Sequence, residues 1–168
     1  LVASVQPALV PRQSSLARVK GSRNAVVVEG EFGGETVFSG FGAGGNPTAV
    51  SVVSDLESIA RGLSGEDPYL AMHVTTETEH VRQEVEVPHY VRFVVKDRHG
   101  IIAELAKVFS RHGINVDAVL QEPDWPKDEL PFVMTLNNCS SVKVGDALKE
   151  VGDFDFHIRK PLCMPILK

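Results

Sequence analysis

The sequence has no long hydrophobic run. No apolar stretch approaches the ~20 residues needed to cross a bilayer as a helix, which argues against a membrane partner. Its 168 residues include only two cysteines, Cys139 and Cys163, in no metal-ligand spacing. They read as free thiols of a reducing, cytoplasmic compartment. The six histidines, His73, His80, His89, His99, His112 and His157, also lack ligand spacing, so no metal site is expected. A Gly-x-Ser-x-Gly nucleophile elbow is missing. Basic residues are in deficit, and the net charge of −5 argues against binding nucleic acid or an anionic membrane surface. No initiating Met, basic n-region or signal-like segment precedes Leu1-Val2-Ala3, as expected for part of a longer protein.

What is present is an ordinary globular composition, 43% hydrophobic and 23% charged, in a length that suits one medium domain or two small ones. A short apolar run, Ala25-Val26-Val27-Val28, reads as a strand within Asn24–Glu29. Gly33-Gly34 is a turn signal, and Thr36–Ser39 reads as the return strand of a hairpin. A glycine loop, Gly40–Gly45, leads into a helix with Asn46 as N-cap and Pro47 at its first position. Ala49, Val52, Val53, Leu56 and Ile59 follow the helical period, and Arg61-Gly62 reads as the end. Residues 65–88 then read as a linker, with Glu77, Glu79, Glu84 and Glu86 as a solvated charge run.

From His89 onward the pattern sharpens. Val91, Phe93 and Val95 alternate with polar residues as in a half-buried strand. Asp97-Arg98-His99-Gly100 turns into a helix carrying Ile101, Leu105, Val108 and Phe109 on one face, stopped by Gly113. A strand with Ile114, Val116, Ala118 and Leu120 inward follows, then a proline-rich loop holding Trp125 as a packing anchor. A third strand covers Leu130–Leu136. A helix capped by Ser140 or Ser141 and a last strand with Phe154, Phe156 and Ile158 inward complete the pattern. The order β-α-β-β-α-β predicts an α+β, ferredoxin-like domain over residues 89–168.

Two places could carry function. Gly40-x-Gly42-x-x-Gly45 matches the dinucleotide fingerprint in form, but no parallel strand ending in an acidic residue follows its helix. Two other readings stand beside it. The loop is a turn that lets strand and helix pack closely, or its backbone N–H groups meet a phosphate or polar cofactor group held by another domain. The second place is the Asp97–Gly100 turn, where a strand feeds a helix through glycine. First-turn N–H groups there can bind a small carboxylate, and Asn115 can offer both a donor and an acceptor. The alternative is that Asp97 or His99 caps the helix and Asn115 faces water.

The stretch Val91–Ala103, followed by His112-Gly113-Ile114-Asn115-Val116, resembles an ACT domain. Asn24-Ala25-Val26, Gly40–Ala49 and Asp55 resemble the end of the catalytic domain of homoserine dehydrogenase, a family in which an ACT domain often follows directly. The resemblance implies that residues 1–64 end a catalytic domain and that residues 89–168 are an ACT domain. It implies a parent enzyme that interconverts aspartate semialdehyde and homoserine with NAD(P)H in threonine and methionine synthesis. The loop matching Gly42, Ala43 and Gly44 would lie at the cofactor. An amino-acid effector, threonine first, would meet Asp97, His99, Gly100, Ile101 and Asn115, across a homodimer's sheet or edge. The family's catalytic residues belong to earlier sequence, so no catalytic residue is assigned here, and this stretch alone should be inactive and hold no NAD(P). The competing reading is a stand-alone dimerisation or amino-acid-sensing module without enzyme activity.

Overall fold

A computed structural model describes residues 4–63 and 86–167. Most of the expected linker, and with it Glu77, Glu79, Glu84, His73 and His80, lies outside the described residues. The chain divides into two units. One is Arg12–Glu79, and the other combines Leu1–Pro11 with His80–Lys168.

The first unit opens with a 3-10 turn at Ser15–Arg18, capped by the Ser14 hydroxyl, which accepts from the Leu16 N–H at 3.2 Å. Strands β1 (Arg23–Gly30) and β2 (Gly34–Phe41) pair antiparallel as a hairpin, with Val27 opposite Val37. Helix α1 spans Gly45–Leu63, starting two residues before Pro47, the expected first position, and running through Gly62. Glu57 and Arg61 form an i,i+4 ion pair along it at 2.5 Å. No residue of β1, β2 or α1 is fully buried.

The second unit has one core. Its strands are β3 (Glu86–Val95), β4 (Val116–Gln121), β5 (Leu130–Ser140) and β6 (His157–Pro165). They form a four-stranded sheet in the order β4-β5-β3-β6, antiparallel throughout. Helices α2 (Ile101–Arg111) and α3 (Ser141–Gly152) complete the β-α-β-β-α-β order. Alternation along β3 and β5 sends Val91, Phe93 and Val95, and Phe132, Met134 and Leu136, to one face. They join Leu105, Val108 and Phe109 of α2 and Val144, Ala147 and Val151 of α3 in a single cluster. Phe93 and Phe132 sit opposite each other and stack at 5.1 Å. Ser140 caps α3 by accepting from the Val142 and Lys143 N–H groups at 3.2 and 3.4 Å.

Two strand phases differ from expectation. Ala118 and Leu120 are exposed, not inward. A register shift against β5 between Val116 and Ala118 reverses the alternation, as a bulge does. The last strand starts later than expected and runs further. Phe154 and Phe156 still point inward, but from the turn after α3, where the Phe154 N–H donates to the Val151 carbonyl at 3.2 Å. Ile158 is 45% exposed.

A contact far apart in sequence ties off one edge. Leu9 bridges Ile166 in parallel, donating to Pro165 at 2.9 Å and accepting from Leu167 at 2.8 Å. It covers the end of β6, while β4, exposed along nearly all its length, forms the opposite edge.

Candidate functional site

The Asp97–Gly100 turn leaves the end of β3 and enters α2. Gly100 takes φ +92°, a left-handed conformation that disfavours any residue with a Cβ. No side chain caps α2, so neither Asp97 nor His99 occupies its N-terminus. The first-turn N–H groups therefore keep their capacity for an acceptor. Beside them lies a pocket of about 520 Å³, lined by Asp97, His99, Gly100 and Ile101. Arg98 of the turn, Ala103 and Ala106 of α2, Leu130 and Phe132 of β5, and Gln121 of β4 are also among its lining residues. A small anion with an apolar body suits this combination of donors and hydrocarbon.

Arg98, not singled out from the sequence, braces the turn. Its guanidinium donates to Glu104 at 2.9 Å, approaches Asp155 at 3.2 Å and lies 4.9 Å over the Phe156 ring. The Asp97 N–H donates to the Lys127 carbonyl at 2.7 Å, pinning the turn to the loop before β5. The only advance signal was that Arg98 sits in a turn, since Asp155 and Phe156 are remote in sequence.

Asn115 stands elsewhere. Its carbonyl accepts from the Asn137 N–H at 3.0 Å, and it precedes β4, whereas Gln121 at the other end of β4 reaches the pocket. Within one chain, four of the five expected effector residues come together and Asn115 does not.

The glycine loop of the other unit has a defined geometry. The Gly42 N–H donates to the Ser22 carbonyl at 2.8 Å, so that donor is committed. The N–H groups of Ala43 and Gly44 have no backbone acceptor among the described residues. The Asn24 side chain rests on Gly42 so closely that a Cβ there would lie 1.9 Å from its amide nitrogen. Gly44 takes φ +129° and its carbonyl accepts from the Thr48 N–H at 3.1 Å. β2 is one arm of an antiparallel hairpin, not the buried parallel strand of a Rossmann unit.

A polar cluster closes the far end of the second unit. His89, 2% exposed, meets the Ser141 hydroxyl at 3.0 Å and the Cys139 thiol at 3.5 Å. Burial lowers the His89 pKa, opposed by a hydrogen bond to the Val87 backbone. Burial also raises both thiols, Cys163 to about 11, so neither is a ready nucleophile at neutral pH. Among the described residues no group of His, Cys, Asp and Glu is arranged to hold a metal, and no helix is long and apolar enough to cross a membrane.

Sheet order, helix placement and an uncapped glycine turn opening on a pocket define the class: an ACT domain, whose family model matches residues 89–154. The homoserine dehydrogenase family model matches residues 1–56. Homoserine dehydrogenase of Pseudomonas aeruginosa is 32% identical over 152 residues, covering 86% of this chain and 35% of that protein. The Bacillus subtilis enzyme is 34% identical over 160 residues, covering 90% and 36%. A homoserine dehydrogenase structure from Thiobacillus denitrificans superposes with a TM-score of 0.76 at 25% identity, covering 96% of this chain and 38% of that one. A Staphylococcus aureus homoserine dehydrogenase shares the fold at a TM-score of 0.57. The chain thus belongs to the homoserine dehydrogenase family, as a C-terminal portion spanning little more than a third of those relatives.

Proposed function

We propose that this chain is the regulatory C-terminal portion of an NAD(P)-dependent homoserine dehydrogenase of threonine and methionine synthesis, working in the cytoplasm. Its ACT domain binds an amino-acid effector, threonine first. The observation that carries the reading is the uncapped N-terminus of α2 at Gly100, facing a pocket of about 520 Å³. The effector's carboxylate would accept from the N–H groups of the first turn, without an arginine, as helix N-termini allow. Ile101 and Ala106 would receive its apolar part.

The position of Asn115 fits a homodimer. If β4 of two copies pairs antiparallel about Ala118, Asn115 of the partner subunit falls beside Gln121. That brings it to the Gln121 end of β4, where the pocket lies. The free β4 edge supports this pairing. The same edge supports the second reading, a dimerisation module with no ligand.

In the other unit, Ala43 and Gly44 offer backbone donors that fit a polar group of NAD(P), and Gly42 lets Asn24 close over the loop. Bound there, the cofactor would supply hydride transfer. This chain's part would be to orient it by those N–H groups. Neither β1, β2 nor α1 buries a residue, so this portion alone would neither hold the cofactor nor turn over substrate.

Effector binding would couple to activity by about 1–3 kcal/mol, a change of roughly 5- to 150-fold. Calorimetric titration tests the reading. Threonine should bind the chain and should not bind a Gly100→Asp variant, which puts strain and a carboxylate at the anion site. Absence of heat from threonine, methionine, isoleucine and lysine would overturn it.

A further inference from the structure

We propose that the outer face of the ACT sheet carries a second ligand site, a groove that takes the zwitterion of an α-amino acid with a large apolar side chain. The groove encloses about 640 Å³. Its floor is a row across three strands, Arg92 of β3 opposite Val133 of β5, which is opposite Leu120 of β4. Pro131 and Trp125 add apolar walls, and Glu122 adds a carboxylate.

The charges are placed for recognition and not for pairing with each other. Arg98, Arg111 and Arg159 each hold a carboxylate, whereas Arg92 has no ion pair among the described residues. A guanidinium set in an apolar floor offers two parallel donors to a carboxylate. One oxygen of Glu122 accepts from the Trp125 indole N–H at 2.8 Å, fixing the ring, and the other is left for an ammonium group. Leu120 and Trp125 are 58% and 48% exposed, a hydrocarbon surface open to solvent. Each methylene buried there would strengthen binding about four-fold.

The groove adjoins the Gly100 pocket at Gln121 and Phe132, but Arg92, Glu122 and Trp125 belong to it alone. The proposal therefore stands independently of the effector reading.

Trp125 is the only tryptophan of the chain, so its emission reports on this groove. Titration with leucine should change that emission saturably. Alanine should bind more than ten-fold more weakly, and N-acetyl-leucine and leucinamide, each missing one charge, should also lose affinity. Arg92→Gln should weaken leucine binding more than ten-fold. Glu122→Gln, in the exposed loop, should remove the preference for leucine over N-acetyl-leucine, and it carries the test if Arg92→Gln fails to fold by circular dichroism. Gly100→Asp should leave the leucine response intact. The proposal fails if about 10 mM leucine leaves the emission unchanged, or if the response survives Arg92→Gln. It also fails if Gly100→Asp abolishes the response.

Discussion

Val91, Phe93 and Val95 of β3 are withdrawn from water, whereas Val53, Leu56 and Ile59 of α1 remain 62%, 61% and 59% exposed. Both sets repeat at the period of their element, two residues for the strand and 3.6 for the helix. Only the first finds a partner surface within the described residues. The hairpin of β1 and β2 is in the same position as α1, with Phe38 and Phe41 about as exposed as those helix residues. A lone hairpin and a lone helix are each marginal in water. Periodicity therefore says which face an element wants to bury, and not whether this stretch of chain supplies the cover. The ACT domain supplies its own. The other unit overlaps the stretch that matches the homoserine dehydrogenase family model, residues 1–56, and its apolar stripe has no cover among the described residues.

Truncating one apolar residue in each unit should separate the two most clearly. Phe93→Ala should cost about 3–5 kcal/mol in urea unfolding, since its ring is fully buried and stacked on Phe132. Leu56→Ala in α1 should change the same transition by less than about 0.5 kcal/mol. Equal losses would mean that both units fold as one. A smaller effect is expected from Ser140→Ala, which removes the cap of α3 and should cost about 1 kcal/mol in the same assay.

The least effect comes from pH. The folded-state pKa of His89 is lowered by burial, so the neutral ring is the stable one. Stability is therefore complete above the unfolded value near 6.5 and declines as pH falls from there toward the folded value. His157, also lowered by burial, adds to the same trend. The melting temperature of the ACT transition should drop between pH 7.5 and 5.5, and His89→Gln should flatten that slope. A melting temperature that rises on acidification would contradict the assignment.

The sequence made β3, α2, β5 and α3 legible, because each alternates or repeats cleanly and ends at glycine, serine or a turn. It also marked the Asp97–Gly100 turn. Other features depend on what the chain meets after folding. A bulge in β4 carries no local signal, so alternation alone places Ala118 and Leu120 on the wrong face. Arg98 finds Asp155 and Phe156, and Leu9 finds Ile166, through tertiary approach alone. Asn115 is near the turn in sequence, yet the length of β4 separates it from the pocket.

Hydrogen exchange on the whole chain, with and without threonine, tests the central claim most directly. Amides of β3 and β5 should be protected to near the global unfolding free energy, while those of β1, β2 and α1 exchange with little protection. Threonine should add protection around residues 97–104 and leave α1 unchanged. Uniform protection across both units, or a threonine effect confined to residues 12–63, would contradict the account.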